Sequence, residues 1–574
     1  MAKFLLGLAA GVALVFAGFF VFFLMLIHSR NQPPQIADNS VLVVRLSGDV
    51  PDKAPVELPD WLGGKSAATV PGVWMDLKKA AADAHIRAVV IEPDGLSCGW
   101  AKVEEMRSDV EQFRKSGKPV FAYLRTPSGR DYYVALAADR IYLGPEDPLM
   151  LKGLRAELLY FKGTLDKLGV AVDVEHAGKY KDFGDMFTRS NMSPETQQVT
   201  NSIVDGIFGN MVTRIAAARK KTPEQALALI NQGPYTASQA LAAGLVDELR
   251  FEDQMWGELK DRLKSTQLEK VAIEKYSRVP QENAGLVGKS RIAIVVGEGD
   301  IIQGSPGDSG TDETSLTAYG FDKLLQQVQN DAGIKAVIVR IDSPGGEVSA
   351  SDEIWYRMNQ LSKKKPMVIS MSDVAASGGY YMALTNDPIV AYPETETGSI
   401  GVVFGKPVVR GLLGKIGVNI DAVERGRNAD IDSLDTPLSP EQRDKLRAGI
   451  DESYHAFVSK VAEARHRSYA DIDQVAQGRV WLGSQAKENG LVDALGGLDT
   501  AVEMVKKKAG IPTSEQVTVA VYPRRRSILD VLLRRSSQAD AVTDKLAPVF
   551  GSVPFHAWMK GGYLRIMPNW LVVR

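Results

Sequence analysis

One cysteine in 574 residues, Cys98, has no partner within the chain, so an intrachain disulfide framework and a cysteine-built zinc or iron–sulfur site are both excluded. Histidine is also scarce. The six include no H-x-x-x-H pair, which removes the commonest zinc-hydrolase signature. Neither sign of charge dominates: 68 Lys and Arg stand against 70 Asp and Glu, and a net −2 excludes a strongly basic nucleic-acid binder at whole-chain level. Phosphate-binding loops are missing too, because Gly288-Lys289-Ser290 and Gly64-Lys65-Ser66 have Asn283 and Pro59 where such a loop needs its first glycine. What remains is 45% hydrophobic and 24% charged, the balance of a globular chain with room for several cores.

Phe4 to Ile27 carries no charge and is mostly apolar, enough to span about 36 Å as a helix. A cleaved signal peptide has a shorter apolar region and a small-residue cleavage site, whereas this run ends in Met25-Leu26-Ile27-His28-Ser29-Arg30. It reads as a single uncleaved anchor over residues 1–30, with 31–39 as a linker. Lys3 and Arg30 flank the run, so charge alone leaves its orientation open.

Beyond the linker the chain is written twice, at a separation of roughly 250 residues. Val41–Asp49 matches Ile292–Asp300, Ile86–Ile91 matches Ile334–Val339, Tyr132–Asp139 matches Tyr380–Asp387, and Gly244–Asp247 matches Gly490–Asp493. In each copy short apolar runs alternate with stretches of helical period such as Phe321–Asn330, Ser351–Lys363 and Pro440–Arg465. That alternation predicts two tandem α/β domains with largely parallel sheets, over 40–289 and 290–522. Residues 523–574 have no counterpart in the first copy and carry nine Lys and Arg against three Asp, with Trp558 and Trp570. Such a tail suits either an anionic lipid surface or packing on a neighbouring protomer.

Gly95-Leu96-Ser97-Cys98-Gly99 fits the G-x-S-x-G nucleophile pattern after a strand, but the repeat sets Ser97 against Gly345, in a loop whose chemistry is backbone. In the second copy three small-residue loops follow successive apolar runs: Asp342-Ser-Pro-Gly-Gly-Glu347, Ala375-Ala-Ser-Gly-Gly-Tyr380 and Thr397-Gly-Ser-Ile-Gly-Val402. Such loops meet at the carboxyl edge of a parallel sheet. Ser377 aligns with Gly129, and Lys181 aligns with Ala429. One copy keeps a lysine and the other a serine, which is expected if one composite site draws a group from each half. His176, five residues before Lys181, is the rival base.

With Ser343-Pro-Gly-Gly346, Ala376-Ser-Gly-Gly-Tyr380, Thr397-Gly-Ser-Ile-Gly401 and Gly178-Lys-Tyr-Lys181, the whole chain resembles the signal peptide peptidase A (protease IV) family in its long tandem form. The resemblance implies Clp/crotonase-like domains and a serine endopeptidase with Ser377 as nucleophile and Lys181 as general base. It further implies that Ser399 orients Lys181, and the Gly346 and Gly378 amides then serve as oxyanion donors. No cofactor or metal is called for. The implied substrates are hydrophobic peptides such as signal-peptide remnants. The implied setting is a homotetramer held by membrane lipid in a bacterial inner membrane, with its catalytic body in the periplasm. Two alternatives remain at this point, a non-enzymatic membrane scaffold and an acyl-CoA enzyme of the crotonase fold.

Overall fold

The computed structural model describes residues 33–55, 68–305, 315–524, 563–567 and 572–573, with Gly7, Gly11 and Gly18 in isolation. The expected anchor therefore lies outside the described residues, apart from those glycines. Among the described residues no helix is long and apolar enough to cross a membrane.

Two tandem α/β units carry the repeat. In the first, a six-stranded parallel sheet runs in the order Glu248–Leu249, Arg140–Leu143, Val120–Leu124, Ile86–Asp94, Ser40–Ser47, Glu269–Ala272. Its inner strands are apolar without alternation, and Val41, Leu42, Val89, Val90 and Ile91 are fully buried, as in a sheet covered on both faces. The second unit is built on an eight-stranded sheet in which Met367–Ala376, Ile334–Ser343, Ser290–Glu298 and the edge strand Val517–Tyr522 run parallel in that order. The helices lie where the periodicity put them. Ala318–Asn330 buries Phe321, Leu324, Leu325 and Val328 on one stripe, and Thr317 caps it by accepting from Gly320 N. Pro440–Ala464 starts at a capping box between Ser439 and Gln442 with Pro440 in the first turn.

A third sheet belongs to neither copy alone. Its order is Ser315–Thr317, Asp300–Ile302, Gly345–Glu347, Tyr563–Ile566, Val402–Val408, Ala171–Ala177. The last strand comes from the first half of the chain and pairs antiparallel with the second half, from Val402↔Ala177 to Val408↔Ala171. Its buried acids tie it further: Glu175 accepts from Arg443 and Arg447 at 2.7 and 2.8 Å, and Asp173 accepts from Leu438 N at 2.8 Å. The fourth strand comes from the basic tail, most of which lies outside the described residues.

Candidate active site

The crossing strand delivers Lys181. At its end Gly178 turns the chain with φ +97°, and a Cβ there would stand 2.5 Å from the carbonyl carbon of Gln477. Two further glycines shape the sleeve around the lysine stem. A Cβ on Gly478 would stand 2.6 Å from Lys181 Cβ, and one on Gly401 would stand 3.0 Å from Lys181 Cδ. Threaded through it, Lys181 Nζ lies 2.8 Å from Ser377 Oγ, 2.9 Å from the Ser399 carbonyl and 3.0 Å from Ser399 Oγ. All three residues are fully buried.

Ser377 stands between the strand Met367–Ala376 and the helix Gly378–Met382, with φ +53° and ψ −111°. A left-handed serine costs on the order of 1–3 kcal/mol and persists only where its surroundings over-determine it. Here Ser377 N donates to Gly398 O, and Tyr381 N donates to Ser377 O, each at 2.8 Å. Ser399 is also left-handed, at φ +49°, and its N–H donates to Arg479 O at 2.8 Å. Gly378 opens the helix, so its N–H belongs to the first-turn amides that the helix leaves unbonded. Gly346 lies in the strand Gly345–Glu347, where a Cβ would stand 2.0 Å from Ile301 O. A Cβ on Gly379 would stand 2.5 Å from Ser343 O, so the two glycine loops are packed backbone to backbone.

The rival residues lie elsewhere. His176 is exposed on the crossing strand and its Nδ1 contacts Gly178 O at 3.1 Å. Ser97 is exposed, and the amides of Gly95 and Leu96 beside it donate to Asp131 at 3.1 and 2.9 Å. Asp131 also closes a capping box with Ser128, so the first copy fills its counterpart of the serine loop with its own carboxylate. A side chain fills there what the second copy lines with glycine.

Sequence reasoning missed a polar knot beneath these loops. Arg340 is fully buried on the strand that leads to Ser343, and its guanidinium donates to Asp52 at 2.9 Å and to Glu105 at 2.5 Å. Buried Lys102 of the first half lies 2.7 Å from Asp342 and within 3.7 Å of Asp52 and Glu298. Asp373, four residues before Ser377, accepts from Gly99 N at 2.7 Å and Lys102 N at 2.8 Å, capping the helix Trp100–Arg114 of the other unit. The roots of both glycine loops are therefore bolted to the first half. Asp52, Glu298 and Asp342 are grouped closely enough to hold a cation, but the Lys102 ammonium already serves them.

Burial pushes Glu298 and Asp373 each up to about 7, with Lys102 pulling the other way. Burial would also raise Asp52, but Arg340 and Lys102 outweigh it and hold that carboxyl below its ordinary value. A carboxyl whose folded value lies above its unfolded value keeps its proton in the fold after the unfolded chain would lose it. The stabilisation from Glu298 and Asp373 is thus fully present below an unfolded value of about 4 and is lost as pH rises through about 7. Melting temperature is expected to fall between about pH 4 and 7. The double variant Glu298→Gln/Asp373→Asn should flatten that slope, and an unchanged slope would contradict the assignment.

A serine hydroxyl at a strained strand-to-helix turn, a buried amine on that hydroxyl, and backbone amides beside it form equipment for acyl transfer without histidine. On tandem α/β units this defines a class, the serine peptidases. The sequence profile of Peptidase family S49 matches residues 112–266 and 359–512, once in each half, and the chain belongs to that family. It is 35% identical over 504 residues to "Serine protease SPPA, chloroplastic" of Arabidopsis thaliana, covering 87% of this chain and 73% of the relative. It is 32% identical to "Protease 4" of Salmonella typhi, covering 80% of this chain and 74% of the relative. With "Protease 4" of Haemophilus influenzae it shares 32% identity over 69% of this chain and 66% of that one.

Proposed function

We propose that this serine peptidase is a membrane-anchored endopeptidase that degrades cleaved signal peptides and other apolar peptides with a Ser377/Lys181 dyad. The observation that carries the dyad is the 2.8 Å contact between Lys181 Nζ and Ser377 Oγ, both buried and contributed by opposite halves of one chain. Ser377 Oγ attacks the scissile carbonyl while Lys181 takes its proton, giving a tetrahedral oxyanion. The step requires a neutral amine, which burial away from water favours. Lys181 returns the proton to the leaving amine, an acyl-enzyme remains, and water activated by the same lysine releases it. Ser399 holds the amine through its carbonyl and hydroxyl. The Gly346 and Gly378 N–H groups stabilise the oxyanion, each worth about 2.7–4 kcal/mol by analogy with other oxyanion donors.

The apolar run Phe4–Ile27 supports the anchor, and the family resemblance supports a homotetramer at an inner membrane with residues 40–289 and 290–522 in the periplasm. The test is to treat the full chain in detergent with a fluorophosphonate probe and to follow cleavage of an apolar peptide against a polar one of equal length. Labelling at Ser377 and preferential cleavage of the apolar peptide are expected. A folded protein that labels at Ser97, or that hydrolyses neither peptide, would overturn the reading.

A further inference from the structure

The tail strand occupies a telling place. Tyr563–Ile566 lies between the strand holding Gly346 and the strand that begins three residues after Ser399. It pairs antiparallel with the first, Gly345↔Ile566, Gly346↔Arg565 and Glu347↔Leu564. It also pairs antiparallel with the second, Val403↔Leu564 and Phe404↔Tyr563. One residue on, Met567 N donates to Pro344 O at 2.8 Å, and the buried Met567 side chain belongs to the apolar cluster that includes Ala376, the residue before Ser377. Strands in a sheet are spaced about 4.8 Å apart, so the flanking strands bound a slot one strand wide beside the serine. Two unpaired backbone edges facing each other across such a slot are what an extended peptide satisfies.

The side chains agree with that reading. Leu564 and Ile566 lie two apart and share one face; both are buried in a cluster with Phe183, Met186, Phe187 and Val403. Phe183, Met186 and Phe187 follow Lys181 closely in the chain, so the segment that supplies the amine also supplies the apolar wall. On the other face Tyr563 stacks edge-on against Phe404 at 6.1 Å. The repeat adds an independent observation. Phe404 aligns with Ala156 in the first copy, and the tail's Val572–Val573 pairs antiparallel with Ala156–Glu157. The tail thus pairs a strand with the corresponding segment of each copy.

We infer that residues 563–567 are an intramolecular occupant of the substrate cleft, and that the substrate they exclude is an extended peptide with apolar side chains at alternate positions. The inference rests on the assignment of Ser377 as nucleophile. A tethered segment competes at an effective concentration on the order of millimolar, and a cleft open only part of the time loses apparent affinity in proportion.

The test uses the full chain with Leu564→Asp/Ile566→Asp, which places charge where the strand must bury apolar side chains. The rate of Ser377 labelling and kcat/KM on a short apolar peptide are expected to rise about tenfold or more. A synthetic peptide spanning residues 561–569 should reverse the gain competitively, and the same peptide carrying both aspartates should not. Unchanged or slower labelling in a variant that keeps its circular dichroism and melting temperature would overturn the proposal. So would a variant that loses both, because the strand would then be a fixed part of the sheet. Fluorescent 561–569 peptide binding to the Leu564→Asp/Ile566→Asp chain that also carries Ser377→Ala separates the two readings. Binding displaced by apolar peptides supports the cleft even if hydrolysis persists without Ser377, and absence of binding overturns it.

Discussion

Substituting Lys181 by methionine is expected to lower kcat by about 10⁴-fold or more, with KM little changed. The stem keeps its volume and its glycine sleeve, so the loss is confined to the amine. That amine, the proposed proton acceptor, lies 2.8 Å from Ser377 Oγ, and Ser399 meets it through two further contacts. Lys181→Arg should be equally inactive, because a guanidinium carries charge and donors but cannot give up its proton in a protein. Groups that act as a unit are not additive, so Ser377→Ala/Lys181→Met should be no slower than either single variant. His176→Ala should keep wild-type activity, since His176 is exposed and contacts Gly178 O. Mixing Ser377→Ala chains with Lys181→Met chains during assembly should restore nothing, because both groups of each site come from one chain. An active Lys181→Met enzyme, or an inactive His176→Ala enzyme, would move the base to histidine; recovered activity on mixing would move the dyad between chains.

Much of this candidate site is legible in the sequence alone. The offset between copies aligned Ser377 with Gly129 and Lys181 with Ala429, and that mismatch alone pairs two residues far apart in the chain. Strand and helix positions followed from periodicity because the central strands are apolar on both faces and the helices carry cap residues, as at Ser439 and Thr317. Two features had no such signal. Trp100–Arg114 is rich in charge, yet Lys102, Glu104, Glu105, Arg107 and Asp109 on it are all buried. Charge tells which groups need partners, and only the meeting of the two halves decides that the partners are protein and not water. The tail strand was hidden for a different reason. Tyr563–Met567 is too short to show a period, and its pairing partners lie more than 150 residues away.

Arg340→Met is expected to destabilise the folded chain by about 3–5 kcal/mol, the usual cost of removing one partner from a buried ion pair. The wild-type guanidinium meets the carboxylates of Asp52 and Glu105 and the hydroxyls of Ser370 and Ser372, at 2.5 to 3.0 Å for the closest contact to each. Without it Glu105 faces a strand of the second half with no cation beside it, and Asp52 keeps only Lys102, at 3.7 Å. Lys102 is committed to Asp342, so it cannot cover both. Burial already raises Glu105 towards its neutral form, with Arg340 opposing. In the variant Glu105 should therefore take up a proton, which makes stability fall more steeply as pH rises. The triple variant Arg340→Met/Asp52→Asn/Glu105→Gln removes the charges together and should recover most of the loss, since an apolar or neutral replacement of a whole buried network is often close to neutral in energy. Denaturant unfolding of the three proteins at pH 6 and 8 measures both effects. Because Arg340 lies on the strand that ends at Ser343, the single variant should also lose kcat at temperatures where it remains folded. A loss below about 1 kcal/mol would mean that water reaches the knot and screens it as it screens surface pairs.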